Sequence, residues 1–384
     1  MELTVRKTEL LRELQLFQGI VERKNTIPIL ANILVEADEG GDAVRLAATD
    51  LEVGLSSRCA ATIKKGGAIT LPAKKLFEIV RALPDTEVRI TQSAAGTVNV
   101  AAERFSSRIQ TLQRNDFPAL PEATGDGTET LPAQTLREMI AKTQFAITGE
   151  DTRYFLNGAL FLFTDQAMSL VATDGHRLAL VSAGRGAKTD GDTPSAPAAA
   201  HGDAEATRVI LPKKTLWELA RLLGDDVETV TYERGENHLF FDLGGRQLIS
   251  RMIDAQFPAY ERVIPQGNDK RIEFERDRLT SAIKRVALLS SERSRAVKFQ
   301  IDAGKVEITS SSPEVGEASE VLAVDYSGPA LGICFNAQYL LDFMSVAETE
   351  SIALDFKDDL SQAVLSPVGG DSCDYTYVIM PMRI

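Results

Sequence analysis

The chain has 384 residues, 44% of them apolar, with a net charge of −13 and three histidines. That is enough for three domains of roughly 100 to 140 residues, each burying its own core. Cys59, Cys334 and Cys373 lack CxxC spacing and support neither a disulfide framework nor a zinc site, no apolar run approaches a membrane span, and the charged start (Glu2, Arg6, Lys7, Glu9) has no leader-like core, so a cytoplasmic location is expected.

In chain order, Leu10, Leu14, Phe17 and Val21 fall at helical spacing and predict a helix over 8–25. The strand-like segment IPILANILVEA follows, and then the pair Thr49-Asp50. Leu71-Pro72 ends a short apolar strand running into an amphipathic helix over 73–83, and Asp116-Phe117-Pro118 follows an Arg-rich strand. A polar stretch rich in Gly, Pro and Asp, 121–130, reads as a boundary.

The series then begins again. Leu136, Ile140, Thr143 and Ile147 predict a helix over 134–148, followed by YFLNGALFLF and by Thr173-Asp174. Leu211-Pro212 leads into a helix over 213–224, and Gln256-Phe257-Pro258 precedes a second polar boundary at 264–271. The Leu-Pro and Phe-Pro pairs both recur at an offset of 140, the mark of an internal repeat, whereas Thr-Asp recurs at 124. The 16 additional residues belong to 183–207, an Ala-, Gly-, Pro- and Asp-rich insertion with almost no large apolar side chain. Such a segment cannot bury enough surface to offset its ordering entropy, so a mobile loop between two strands is expected.

A third, weaker copy follows. Leu279, Ile283 and Val286 predict a helix over 277–295, Val297, Phe299 and Ile301 alternate as in a strand, and Leu340, Phe343, Met344 and Ala347 mark a helix over 337–347. The expected architecture is α+β, three tandem copies of one helix-and-strand unit, with domains at 1–122, 128–264 and 270–384.

The net charge argues against a nucleic-acid partner, but its distribution argues the other way. The six predicted helices carry 16 Lys and Arg against 9 Asp and Glu, so they are cationic on an acidic remainder. Solvated helix faces explain part of that excess; a phosphate-facing surface explains the segregation. Thr173-Asp174-Gly175-His176-Arg177 invites a general-base reading, yet no nucleophile elbow, P-loop or zinc-protease motif accompanies it. Sequence neighbours on a strand also point to opposite faces. The terminal YTYVIMPMRI supplies a last strand, followed by Met380, Pro381 and Met382, which make an adaptable apolar surface.

The segments TIPILANIL, RYFLNGALF, VATDGHRLAL and YVIMPMRI closely resemble the bacterial DNA polymerase III beta subunit, the replicative sliding-clamp family. The resemblance covers essentially the whole chain apart from 183–207. It implies a head-to-tail homodimer of three-domain protomers forming a ring, with helices lining the hole and antiparallel sheets outside. It implies a non-catalytic processivity subunit with no cofactor and no metal, holding duplex DNA without regard to sequence. The polymerase III catalytic subunit, the clamp loader, other polymerases and repair proteins would attach through short peptides.

Matching positions give a partner-peptide pocket of Arg153, Leu156, Thr173, Gly175, His176, Arg177, Leu178, Pro258, Val263, Asn336, Tyr339, Leu360, Val378, Met380, Pro381, Met382 and Arg383. The DNA-facing set comprises Arg23, Lys24, Lys74, Lys75, Arg137, Lys142, Lys213, Lys214, Arg221, Lys284 and Arg285. Glu150 departs from the family's neutral side chain at that place. The expected dimer seam pairs a strand near 104–112 with one near 297–301 and sets Leu288 and Leu289 against Ile109. Two competing readings remain at this point: a hydrolase using Asp174 and His176, and a monomeric DNA-binding scaffold.

Overall fold

A computed structural model describes residues 1–21, 26–93, 96–149, 151–164, 167–184, 207–370 and 372–383. Its α-helices, among the described residues, are α1 (Lys7–Phe17), α2 (Ala73–Ala82), α3 (Ala133–Thr143), α4 (Lys213–Leu222), α5 (Arg276–Ala287) and α6 (Ala337–Val346). They are the predicted six, each of them shorter. α1 stops at Phe17 and a turn over Gln18–Ile20 follows; α5 stops at Ala287, where Leu288 to Ser290 close as turns. α3 passes at Gln144 into a 3₁₀ turn. Periodic apolar residues continue past each of these ends, which is why spacing alone overshoots.

The chain forms two compact units, one of residues 1–134 with 214–252, the other of residues 135–213 with 253–384. In the first, a five-stranded sheet runs Thr62–Lys65, Glu2–Arg6, Glu87–Ser93, Thr97–Ala102, Phe105–Gln110. An eight-stranded sheet runs Glu129–Pro132, Thr229–Arg234, His238–Asp242, Gln247–Arg251, Val53–Ala60, Ala43–Thr49, Asn32–Ala37, Gly67–Pro72. The joint between the first and second repeats lies inside this sheet, where Leu248 pairs with Leu55 and Ile249 with Gly54. α1 buries Leu10, Leu14 and Phe17, and α2 buries Ala73, Leu76 and Val80, each at helical spacing. The boundary stretch is tied down by the buried Glu233, whose carboxylate accepts from the Thr124 and Gly125 amides at 2.7 and 2.9 Å.

The second unit repeats the plan. Its eight-stranded sheet runs Thr207–Pro212, Gly158–Phe163, Ala167–Thr173, Arg177–Gly184, Asp374–Ile379, Ala363–Val368, Ser351–Phe356, Lys270–Glu275. Here Leu178 pairs with Val378 and joins the second repeat to the third. A four-stranded sheet runs Gly316–Ala323, Lys305–Ser312, Ala296–Asp302, Leu331–Asn336. Strand Gly158–Phe163 is buried at every position, as a strand covered on both faces must be.

Three expectations change. The insertion is narrower than 183–207, because Ala183 and Gly184 end one strand and Thr207 begins the next; residues 185–206 lie outside the described residues. The strand at 297–301 cannot serve as a seam, because Ala296–Asp302 is hydrogen-bonded on both sides, to Lys305–Ser312 and to Leu331–Asn336. Apolar alternation reports a buried face and is silent on whether a strand lies at an edge. The unpaired outer strands of interest are Phe105–Gln110 and Gly316–Ala323. Lys142 is buried, 1% exposed, with its ammonium 6.0 Å from the Tyr375 ring, so it leaves the exposed cationic set.

Candidate functional site

The Thr-Asp pairs of the first two repeats build the same turn. In one copy, Thr49 Oγ1 donates to Val53 O (3.0 Å) and Asp50 Oδ1 accepts from the amides of Glu52 (2.9 Å) and Val53 (2.7 Å). In the other, Thr173 Oγ1 donates to Arg177 O (2.6 Å) and Asp174 Oδ1 accepts from the amides of His176 (2.9 Å) and Arg177 (3.0 Å). The turn demands a left-handed residue, which is Gly175 at φ +89° in the second copy. The Asp174 carboxylate is thus occupied by backbone amides and by Arg177 Nε (3.1 Å), and its contact with His176 is to the backbone. It makes no side-chain hydrogen bond to the imidazole among the described residues, contrary to what an Asp-His general base needs.

Around this turn the second unit assembles an apolar cluster of Leu160, Leu162, Val171, Leu178, Leu180, Ile210, Phe257, Tyr260 and Val378. Half-buried Phe155, Ile253, Ala255, Ile264 and Val364 border it. Leu156, Leu178 and Val378 of the expected pocket are buried, whereas Val263 (38%), Leu360 (58%) and Met380 (36%) are exposed. Pro258, Gly175, His176 and Arg383 are also exposed, and Pro381 and Met382 are half-buried. The C-terminal segment is held in place by main-chain bonds, Met380 N to His176 O (2.9 Å) and Met382 N to Cys334 O (2.8 Å). Asn336 caps α6 by accepting from the amides of Gln338 (2.9 Å) and Tyr339 (3.4 Å), which places Tyr339 at the helix start.

Two arginines play different parts. Arg153 is exposed and forks onto Asp151 (3.0 and 2.8 Å); this contact pulls the Asp151 carboxyl down to about 2. Arg177 is 9% exposed and turns away from the rim. Its guanidinium bonds Asp342 Oδ2 (2.6 Å) and Phe145 O (2.6 Å), and stacks over the Tyr339 ring at 4.3 Å. It ties the turn to α6 and is buried, not an exposed residue of the expected pocket. Sequence reasoning missed Asp151, two residues before the RYFLNGALF segment, and gave no role to Tyr154 within it, 58% exposed beside Phe155.

Models of three domains match in order: the DNA polymerase III beta subunit N-terminal domain over residues 1–121, the central domain over 130–259 and the C-terminal domain over 261–383. The chain belongs to the DNA polymerase III beta subunit family. Curated beta sliding clamps from Pseudomonas putida and Escherichia coli are 38% and 34% identical to it, each covering 100% of both chains. The crystal structure of the DnaN sliding clamp from Pseudomonas aeruginosa bound to griselimycin matches at 36% identity with a TM-score of 0.89, covering both chains fully. A DNA polymerase sliding clamp from Caulobacter crescentus matches at 35% identity and 0.86, again over both full lengths.

In this beta-subunit chain the observed helices carry 14 Lys and Arg against 7 Asp and Glu, so the shorter boundaries leave the cationic excess unchanged. Lys74, Lys75, Arg137, Arg221, Lys284 and Arg285 are exposed. Lys75 pairs with Glu78 (2.8 Å) and Arg285 with Glu320 (2.6 Å). Lys213 and Lys214 are half-buried: Lys213 donates to Ile147 O (3.0 Å), and Lys214 pairs with Asp50. Arg23, Lys24 and Glu150 lie outside the described residues.

Proposed function

We propose that this chain is a replicative sliding clamp: a non-catalytic, cytoplasmic processivity factor that closes around duplex DNA as a homodimer and tethers the polymerase. The observation that carries the reading is the match of all three beta-subunit domains in order along the chain. No helix among the described residues is long and apolar enough to cross a membrane. The cationic helices suit phosphate contact without base readout, which a sliding protein requires.

Closure is assigned to the two outer strands. Phe105–Gln110 and its approach carry Arg104 and Arg108, whereas Gly316–Ala323 carries Glu317 and Glu320, so the edges are complementary in charge as well as in unmade backbone bonds. Exposed Phe105 (41%), Val321 (54%) and Leu288 (78%) supply apolar area, as do half-buried Ile109 and Leu289. Partner peptides are assigned to the pocket bounded by Arg153, Gly175, His176, Pro258, Val263, Leu360 and Met380. Burying a Leu and a Phe there contributes about 1.5 to 3 kcal/mol each before ordering costs, which suits exchangeable, micromolar partners. Light scattering tests closure: a mass of twice 41.8 kDa is expected, and a monomer at micromolar concentration would favour the scaffold reading.

A further inference from the structure

α2 and α4 repeat one pattern whose aromatic member the clamp reading leaves unused. Lys74, Phe77, Glu78 and Arg81 on α2 recur 140 residues later as Lys214, Trp217, Glu218 and Arg221 on α4. Each is an aromatic with a lysine one turn before it and an arginine one turn after. On α2 the aromatic is half-buried and capped, the Arg81 guanidinium lying 5.3 Å from the Phe77 ring centroid. On α4 it is uncapped. Arg221 is drawn aside to Glu218 (2.8 Å) and Gln15 O (3.1 Å), and Lys214 to Asp50. Trp217, the chain's single tryptophan, is left 55% exposed and takes part in no hydrogen bond, ion pair or ring contact among the described residues.

Tryptophan has a large apolar area and one N–H donor, and an indole open to water on both counts is poised for a partner with a flat face. The surrounding charge selects the partner. α4 carries three cations and one acid, and that acid, Glu218, is buried against Arg221. An anionic chain bearing planar groups fits, and single-stranded DNA is such a chain: its phosphates compete with Glu218 for Arg221 and with Asp50 for Lys214 while a base stacks on the indole. Duplex DNA offers no free base face. We propose that Trp217 is a stacking platform for an unpaired base, giving the first unit a preference for single-stranded DNA next to a duplex. Phe77, its face already covered by Arg81, is the weaker counterpart. This rests on the DNA-facing assignment of the helices.

Because Trp217 is the only tryptophan, intrinsic fluorescence reports on this one position. Titrating the full-length protein with oligo(dT) should quench the emission, and a primer–template junction should quench it more than a blunt duplex of equal length. Trp217→Ala, followed by fluorescence anisotropy of a labelled junction, should weaken binding roughly tenfold, whereas Trp217→Phe, which keeps a π face, should lose much less. Phe77→Ala should change little. Unquenched emission at saturating oligo(dT), or equal junction affinity for Trp217→Ala and the parent, overturns the proposal. So does quenching by a partner peptide in place of DNA, which would make the indole a protein contact. Retention of the parent on circular duplex DNA, measured in parallel, tests the clamp reading separately: its loss would sink that reading without altering the quenching result.

Discussion

Replacing Arg177 with Met should loosen the proposed pocket from behind. Methionine keeps much of the stem volume but removes a guanidinium that bonds Asp174 Oδ2 (3.1 Å), Asp342 Oδ2 (2.6 Å) and Phe145 O (2.6 Å) and lies 4.3 Å from the Tyr339 ring centroid. Two carboxylates with side-chain exposures of 16% and 20% would then face each other's charge without a cation. Breaking a buried pair on one side costs about 3 to 5 kcal/mol, and a desolvated cation–π contact adds about 2. Partial rehydration of the two aspartates pulls the net towards about 3 kcal/mol. Native-state hydrogen exchange at the Met380 and Met382 amides, whose acceptors are His176 O and Cys334 O, reads this locally. Their protection should drop by about that amount in Arg177→Met and recover in part when Asp342→Leu is added, since the orphaned charge is then gone. A loss below about 1 kcal/mol, or a double variant worse than the single one, would refute the view of Arg177 as the tie between the turn and α6.

Other outcomes follow from the same geometry. Deleting Met380–Ile384 removes a pocket wall and neither outer strand, so the truncated protein should remain a dimer while losing affinity for a short Leu/Phe-containing peptide by calorimetry; unchanged affinity would move the docking site elsewhere. Reversing the first edge with Arg104→Glu and Arg108→Glu should give monomers in sedimentation, and adding Glu317→Arg and Glu320→Arg to the same chain should restore dimers; a dimer that survives the first pair of changes would relocate the seam. Asp151 is held down to about 2 by Arg153, so its ion pair contributes fully above the ordinary carboxylate value of 3.8 and is lost only as pH falls towards 2. A carboxyl NMR titration should therefore find Asp151 ionised at pH 4 in the parent and titrating nearer 3.8 in Arg153→Ala. An unshifted midpoint in the variant would mean that the rim pair does not form in solution.

Much of the fold was legible because the repeats preserve turn chemistry. The Thr-Asp pairs at 49–50 and 173–174 and the Leu-Pro pairs at 71–72 and 211–212 mark real strand ends, and every predicted helix exists. What could not be read was neighbourhood. Nothing in VKFQI distinguishes a central strand from an edge, so the outer role passed unseen to Gly316–Ala323, whose polar alternation gives it a weak strand signal. Lys142 stood at a helix position that reads as solvent-facing, yet Tyr375, more than 200 residues away in sequence, covers it and its hydroxyl donates to Lys142 O (2.9 Å). The resemblance supplied the proposed pocket only as a set of residues. The division of labour between Arg153 at the rim and the buried Arg177 depends on Asp151 and Asp342, and Asp342 lies in another repeat.

A clamp holds DNA by topology, and linearising the DNA separates that from direct binding. The protein is loaded on nicked circular DNA, washed in salt that abolishes simple binding, and the circle is then cut once. Retention on the closed circle followed by rapid loss after cutting is predicted, because a ring held by topology slides off an end whatever its contact energy. Equal retention before and after the cut, or equal loss in high salt from circles and linear DNA alike, would contradict a ring and leave only direct binding.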